Sequence, residues 1–276
     1  MGDSRAVTGP GLGRHRLANL VLIGAVGALF ATTSVVGIAL SGSVYPDSDL
    51  YNSFLPNDYI NLFLAVPVLV ASVVLAMRAG RLGFIGWAGS LLFILYSAIA
   101  YLFAVRNVLS MVVNGLTVGL CVVALVVGAW SLNAVWLAPA RRVRRQGLYG
   151  GVLVAMGLAF LARALVNIAH SVGGDADLPV PEIGVNIADA VVGPLWILGG
   201  ILLFNTRPTG FVCGLIAYVH GALLFVSLMV FMAIQPLLCN KEFVASDFVA
   251  ICIMSLVVIV PGVVLTHHLL IHAQAT

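Results

Sequence analysis

The sequence predicts an all-α membrane protein of eight transmembrane helices, and three observations carry that prediction. Of the 276 residues, 62% are hydrophobic and only 8% are charged, against about 25% charged in a soluble domain. The apolar residues gather into eight runs, each near the roughly 20 residues a helix needs to cross a bilayer. Most of the charges fall between the runs, basic residues chiefly on one side of the zigzag and acidic residues on the other. A water-facing surface cannot be assembled from so few charges. Soluble enzymes, disulfide-stapled secreted domains and disordered chains are thereby excluded. A transmembrane barrel is excluded as well, because its strands alternate polar and apolar residues, whereas these runs are apolar all round. The net charge of +3 is dispersed and offers no patch to a nucleic-acid backbone. The bilayer is the partner that the composition specifies.

The first 16 residues are a basic segment holding Arg5, Arg14 and Arg16. The run Leu17–Leu40 is longer than the 7–15 apolar residues of a signal-peptide core, so an uncleaved first span is expected. A long acidic connection, Ser41–Asp58, leads to the second run, Tyr59–Met77. A short basic turn at Arg78–Arg81 precedes Leu82–Val105, and a minimal turn at Arg106–Asn107 precedes Val108–Leu132. The linker 141–147 holds Arg141, Arg142, Arg144 and Arg145. Beyond it come Leu148–Ala169, an acidic connection Ser171–Glu182, Ile183–Phe204, a turn Asn205–Pro208, Thr209–Ile234 and Phe248–Ile271. Unpaired backbone groups cost several kcal/mol apiece in lipid, so each run is helical.

Ten arginines fall on one side of this zigzag, and only Arg106 and Lys241 fall on the other, with Asp47, Asp49, Asp58, Asp175, Asp177, Glu182, Glu242 and Asp247. The positive-inside rule then puts both termini in the cytoplasm and the chain in the cell membrane.

The rhythm of the connections recurs. At a shift of 127 residues Pro67 meets Pro194, Leu75 meets Leu202, and Gly83-Phe84 meets Gly210-Phe211. Four spans return the chain to its starting side, so halves 17–140 and 148–276 would form a parallel 4+4 repeat. Pro67 and Pro194 are expected to kink their helices. Gly115-x-x-x-Gly119 and Gly210-x-x-x-Gly214 are spaced to let helices approach closely.

An ionisable side chain inside a span marks a functional hypothesis. On span five, Arg163, Asn167 and His170 share one helical face at i, i+4 and i+7. On span six, Asn186 and Asp189 share a face at a matching depth, and the short connection predicts that Arg163 pairs with Asp189. The pair has two readings, a lock between two helices and a pocket in which Arg163 receives a polar or anionic group. The nearest first-half positions are Thr32 and Leu62, so the cluster is assigned to the second half alone.

His220, mid-span and beside Tyr218, could bond a facing carbonyl, relay protons or ligate haem. His268 and His272 have metal spacing, although a solvated helix end explains them as well. No cofactor is predicted. The cysteines Cys121, Cys213, Cys239 and Cys252 form no C-x-x-C, so neither a redox dithiol nor a zinc clip is expected. No catalytic constellation is present: the chain holds no G-x-S-x-G, H-E-x-x-H or phosphate-binding glycine loop.

Tyr45, Asn57-Asp58, Ala65-Val66-Pro67, the turn Arg78–Arg81, Trp87-x-Gly89, Tyr96 and Tyr101 span about a quarter of the chain, to about Asn114. On these residues the stretch resembles a group of uncharacterised prokaryotic multi-span membrane proteins. That group carries more tyrosine where this chain has Ser97-Ala98-Ile99-Ala100. The resemblance implies a membrane protein and supplies no activity. The reading that follows is a non-enzymatic protein that binds or moves a small polar or anionic solute. The alternatives are a redox protein using haem or quinone near His220 and an assembly subunit of a membrane complex.

Overall fold

A computed structural model describes residues 16–130, 143, 145–173 and 178–273, without the side chains of Arg16, Ala79, Arg81, Pro208 and 269–273. Arg5, Arg14, Arg141, Arg142, Arg144, Asp175 and Asp177 lie outside the described residues, and so does the side chain of His272.

The described chain is helical throughout. Helix α1 (Arg16–Ala39) is followed by one turn, α2 (Ser41–Val44), and by α3 (Ser48–Ile60), which runs through a π-helical turn (Asn61–Ala65) into α4 (Val66–Ala79). After α5 (Arg81–Ala104) and α6 (Val108–Trp130) come α7 (Gln146–Gly173), α8 (Val180–Phe204), α9 (Pro208–Cys239) and α10 (Ala245–Ala273). Among the described residues, eight segments are long and apolar enough to cross a membrane, which makes this a multi-pass membrane protein.

The stretch Ser48–Asp58 corrects the sequence reading. It is not a loop. It is the first third of the second crossing, which runs Ser48–Arg78. Asp58, expected among exposed loop acids, is fully buried. Its burial is tolerated because tyrosine hydroxyls from before α3 and from α5 close around it. The π-helical turn sits immediately before Pro67, which lacks the N–H that a regular helix would use there.

Helix α5 is the hub. It packs against α4, α6, α8 and α9, and the four consecutive residues Ser90, Leu91, Leu92 and Phe93 are all buried, so every side of it meets protein. A helix that is apolar all round belongs in the interior, and the sequence of α5 is of that kind. The other helices each keep a side outside the bundle, with Val112 and Leu116 exposed on α6 and Val257 and Val260 on α10. Exposed charges mark the two ends: Arg78, Arg145 and Arg207 at one, Asp47, Glu182, Lys241 and Glu242 at the other. A single residue, Gly80, turns the chain between α4 and α5 with φ 64°, a conformation that favours glycine.

Among the described residues, α7 and α8 make the most extensive helix pairing. A Cβ on Gly150 would sit 2.6 Å from the Gly200 carbonyl oxygen, and one on Gly157 would sit 2.9 Å from that of Gly193. Both glycine pairs are seven apart, two turns along one helical face, so the two backbones touch in register over two levels. The expected Gly115/Gly119 contact does not form: nothing within 4 Å would meet a Cβ at Gly119, and only Leu102 at 3.8 Å would meet one at Gly115. At Gly210 a Cβ would overlap the backbone of Leu202, so that approach does occur.

Candidate functional site

The glycine contacts hold α7 and α8 together and bring the two membrane charges face to face. Arg163 Nη2 donates to Asp189 Oδ2 at 2.5 Å, with the Arg163 side chain 53% exposed and that of Asp189 3%. Arg163 lies ten residues from the Gly173 end of α7, or about 15 Å at 1.5 Å per residue. Asp189 lies nine residues into α8 from Val180, at nearly the same depth.

The second partner of Asp189 comes from the hub helix. Tyr96 on α5 donates its hydroxyl to Asp189 Oδ1 at 3.0 Å. Each carboxylate oxygen thus has its own donor, one cationic and one neutral. Sequence reasoning did not reach Tyr96, which is 93 residues away. Asn167 Nδ2 donates to Asn186 Oδ1 at 3.2 Å, which fixes the Asn186 amide. Asn186 Nδ2 is buried without a partner.

These groups line one wall of a cavity of about 500 Å³ lined by α3, α5, α7, α8, α9 and α10, within the roughly 300–1,000 Å³ range of ligand pockets. Arg163, Asn167 and Asn186 face it, and Glu182 stands in the first turn of α8. The opposite wall is apolar: Leu224, Leu228 and Phe231 on α9, Ile251 and Met254 on α10. Ser227 is the polar exception on that wall, and its buried hydroxyl has no partner.

Of the residues singled out in the sequence, Arg163, Asn167, Asn186 and Asp189 come together. His170 does not join them: it is exposed and outside the cavity lining. His220 is buried in the core beside the cavity without lining it. Its partner is not a carbonyl. Trp196 Nε1 donates to His220 Nδ1 at 2.8 Å, and both rings pack edge to face. An indole nitrogen only donates, so Nδ1 keeps its lone pair and the neutral ring carries its proton on Nε2. That tautomer offers no free lone pair to an iron or zinc ion. Among the described residues no group of three His, Cys, Asp or Glu side chains could hold a metal.

A second polar cluster adjoins the cavity. Tyr45 donates to Asp58 Oδ2 at 2.6 Å, and Tyr101 donates to Asp58 Oδ1 at 2.9 Å with the Phe54 carbonyl 3.2 Å away. Asn61, in the π-helical turn, donates Nδ2 to the Tyr101 hydroxyl oxygen at 3.4 Å. Burial, reinforced by the adjacent carboxylate, raises the Tyr45 phenol well above its ordinary pKa, so Tyr45 stays a donor. Tyr101 also lines the cavity. Three tyrosines thus converge in space on two carboxylates, Tyr45 and Tyr101 on Asp58 and Tyr96 on Asp189.

No family model, curated protein or solved structure matches the chain. The functional reading therefore rests on the site.

Proposed function

We propose that the protein binds, and moves across the cell membrane, a small polar or anionic solute received in the cavity between α7 and α9. The observation that carries this is the half-exposed Arg163 on the cavity wall, tethered by one nitrogen to buried Asp189 with its other donors free to meet a ligand. The unpartnered Asn186 Nδ2 and Ser227 Oγ add two hydrogen-bonding groups that an occupant would satisfy.

The parallel 4+4 repeat supports the transport half of the proposal. Gly83 approaches the backbone at Leu75 and Ala76, and Gly210 approaches it at Leu202 and Leu203, the same contact after a shift of 127 residues. Repeats of this kind rock against each other around a central site in many transporters. With the arginine-rich end in the cytoplasm, the cavity lies in the outer half of the membrane.

The test is a ligand panel on the purified protein in dodecyl maltoside: inorganic phosphate, small carboxylates, free amino acids and short-chain lysolipids. At least one should raise the melting temperature of wild type and leave that of Arg163→Leu/Asp189→Asn unmoved. The proposal is wrong if none does, or if both proteins respond alike.

A further inference from the structure

Resting on that reading of the cavity, we infer that its occupant is a zwitterionic lipid-like amphiphile, its anionic group on Arg163, its cationic group towards Glu182, and its chain against α9 and α10. Three features of the cavity converge on this chemistry.

The first is charge. Arg163 is the one cation among the lining residues, and it is already bonded to Asp189. Glu182 also lines the cavity and is exposed. A simple anion would meet Arg163, whose charge Asp189 already offsets from behind, and would also meet the Glu182 carboxylate. A molecule carrying a phosphate or carboxylate together with an ammonium leaves Glu182 unopposed by like charge. Asn186 Nδ2, a buried donor without a partner, is a second contact for the anionic end.

The second feature is the division of the walls. The charged and amide groups named above stand on α7 and α8, whereas α9 and α10 contribute aliphatic and aromatic side chains and one serine. A fully hydrated solute would leave that wall in contact with trapped water, which is unfavourable in proportion to the apolar area. A purely apolar molecule would leave Asn186 and Ser227 unsatisfied. An amphiphile matches both walls.

The third feature is access. Helix α7 packs along α8 but touches α10 only slightly. Both helices nevertheless line the cavity, and Met254 of α10, like Arg163 of α7, is partly exposed. A seam between helices that touch so little, with a partly exposed lining residue on each, is where an acyl chain would enter from the membrane.

The experiment compares four probes in dodecyl maltoside: lysophosphatidylethanolamine, lysophosphatidic acid and monoacylglycerol of one chain length, and free phosphoethanolamine. Affinities are read from melting curves for wild type and for Glu182→Gln, a substitution at an exposed position. A brominated chain reports location by quenching Trp196, which packs on the cavity residue Phe160. The expected result is that lysophosphatidylethanolamine binds wild type about tenfold tighter than the anionic analogue. That preference should vanish in Glu182→Gln, and the quenching should be lost in Trp196→Phe. The inference is overturned if lysophosphatidic acid binds wild type as tightly, or if phosphoethanolamine without a chain binds as well. It also fails if none of the four binds while another member of the broader panel does, which leaves the solute-binding proposal standing. Silence across the whole panel overturns both.

Discussion

Arg163 and Asp189 are unequal partners, and removing them one at a time should show it. In Arg163→Leu the Asp189 carboxylate, 3% exposed, keeps only the Tyr96 hydroxyl. An uncompensated buried charge costs about 3–5 kcal/mol, and the remaining hydrogen bond places this case near about 3 kcal/mol. In Asp189→Asn the amide oxygen still accepts from Tyr96, and the orphaned guanidinium is half exposed, so the loss should be about 1 kcal/mol. The double variant has neither charge and keeps the tyrosine bond, so it should lie near Asp189→Asn rather than below both. At about 2 °C per kcal/mol for a chain of this size, melting in dodecyl maltoside should fall by about 6 °C, about 2 °C and about 2 °C in turn. The reasoning is refuted if Arg163→Leu melts within about 1 °C of wild type, or if the double variant is no better than Arg163→Leu. A recovered double variant is also the folded, charge-free control that ligand measurements require.

Other substitutions probe the packing. Gly210→Ala should impair folding, because the new Cβ would overlap the Leu202 backbone, whereas Gly119→Ala, with nothing within 4 Å, should be neutral or slightly stabilising. Yield of monodisperse protein separates the two, and equal behaviour would mean the α8–α9 contact is looser than described. Trp196→Phe strips His220 Nδ1 of its donor and should lower stability by about 1–3 kcal/mol. An unchanged melting temperature would show that the indole bond contributes nothing.

The spans were legible because hydropathy alone selects them. The Arg163–Asp189 pair was legible because a short connection fixes relative depth, and depth is a residue count. The glycine contacts that align the pair were present in the sequence at a period of seven, Gly150/Gly157 and Gly193/Gly200. The four-residue spacing drew attention to Gly115/Gly119 instead, where no neighbouring backbone comes close. Spacing identifies a face but not whether anything packs on it. Tyr96 was not legible as a partner of Asp189, since a hydroxyl reaching across from the hub helix depends on the bundle arrangement and leaves no local pattern. His220 stood out as a lone mid-span histidine, but its indole partner on α8 likewise had no marker.

The stretch Ser48–Asp58 was misread for a more instructive reason. Ser48, Asp49, Asn52, Ser53, Asn57 and Asp58 depress its hydropathy, and a buried aspartate with no basic neighbour looks prohibitive. Asp58 is nevertheless fully buried and held by hydroxyls, with Ser34 of α1 beside the same carboxylate. If hydroxyl geometry rather than charge holds this cluster, an amide should substitute for the acid. In Asp58→Asn the amide oxygen accepts from Tyr45, and its nitrogen donates to Tyr101, whose own proton turns to the Phe54 carbonyl 3.2 Å away. The cluster stays satisfied, and the loss should be about 1 kcal/mol. In Asp58→Leu the Tyr45 hydroxyl loses its acceptor in a buried site, and the loss should reach about 3 kcal/mol or more. Melting curves of the two variants decide the point. If Asp58→Asn is as damaging as Asp58→Leu, the cluster needs the negative charge, and its role is not the neutral hydrogen-bonding one argued from its geometry.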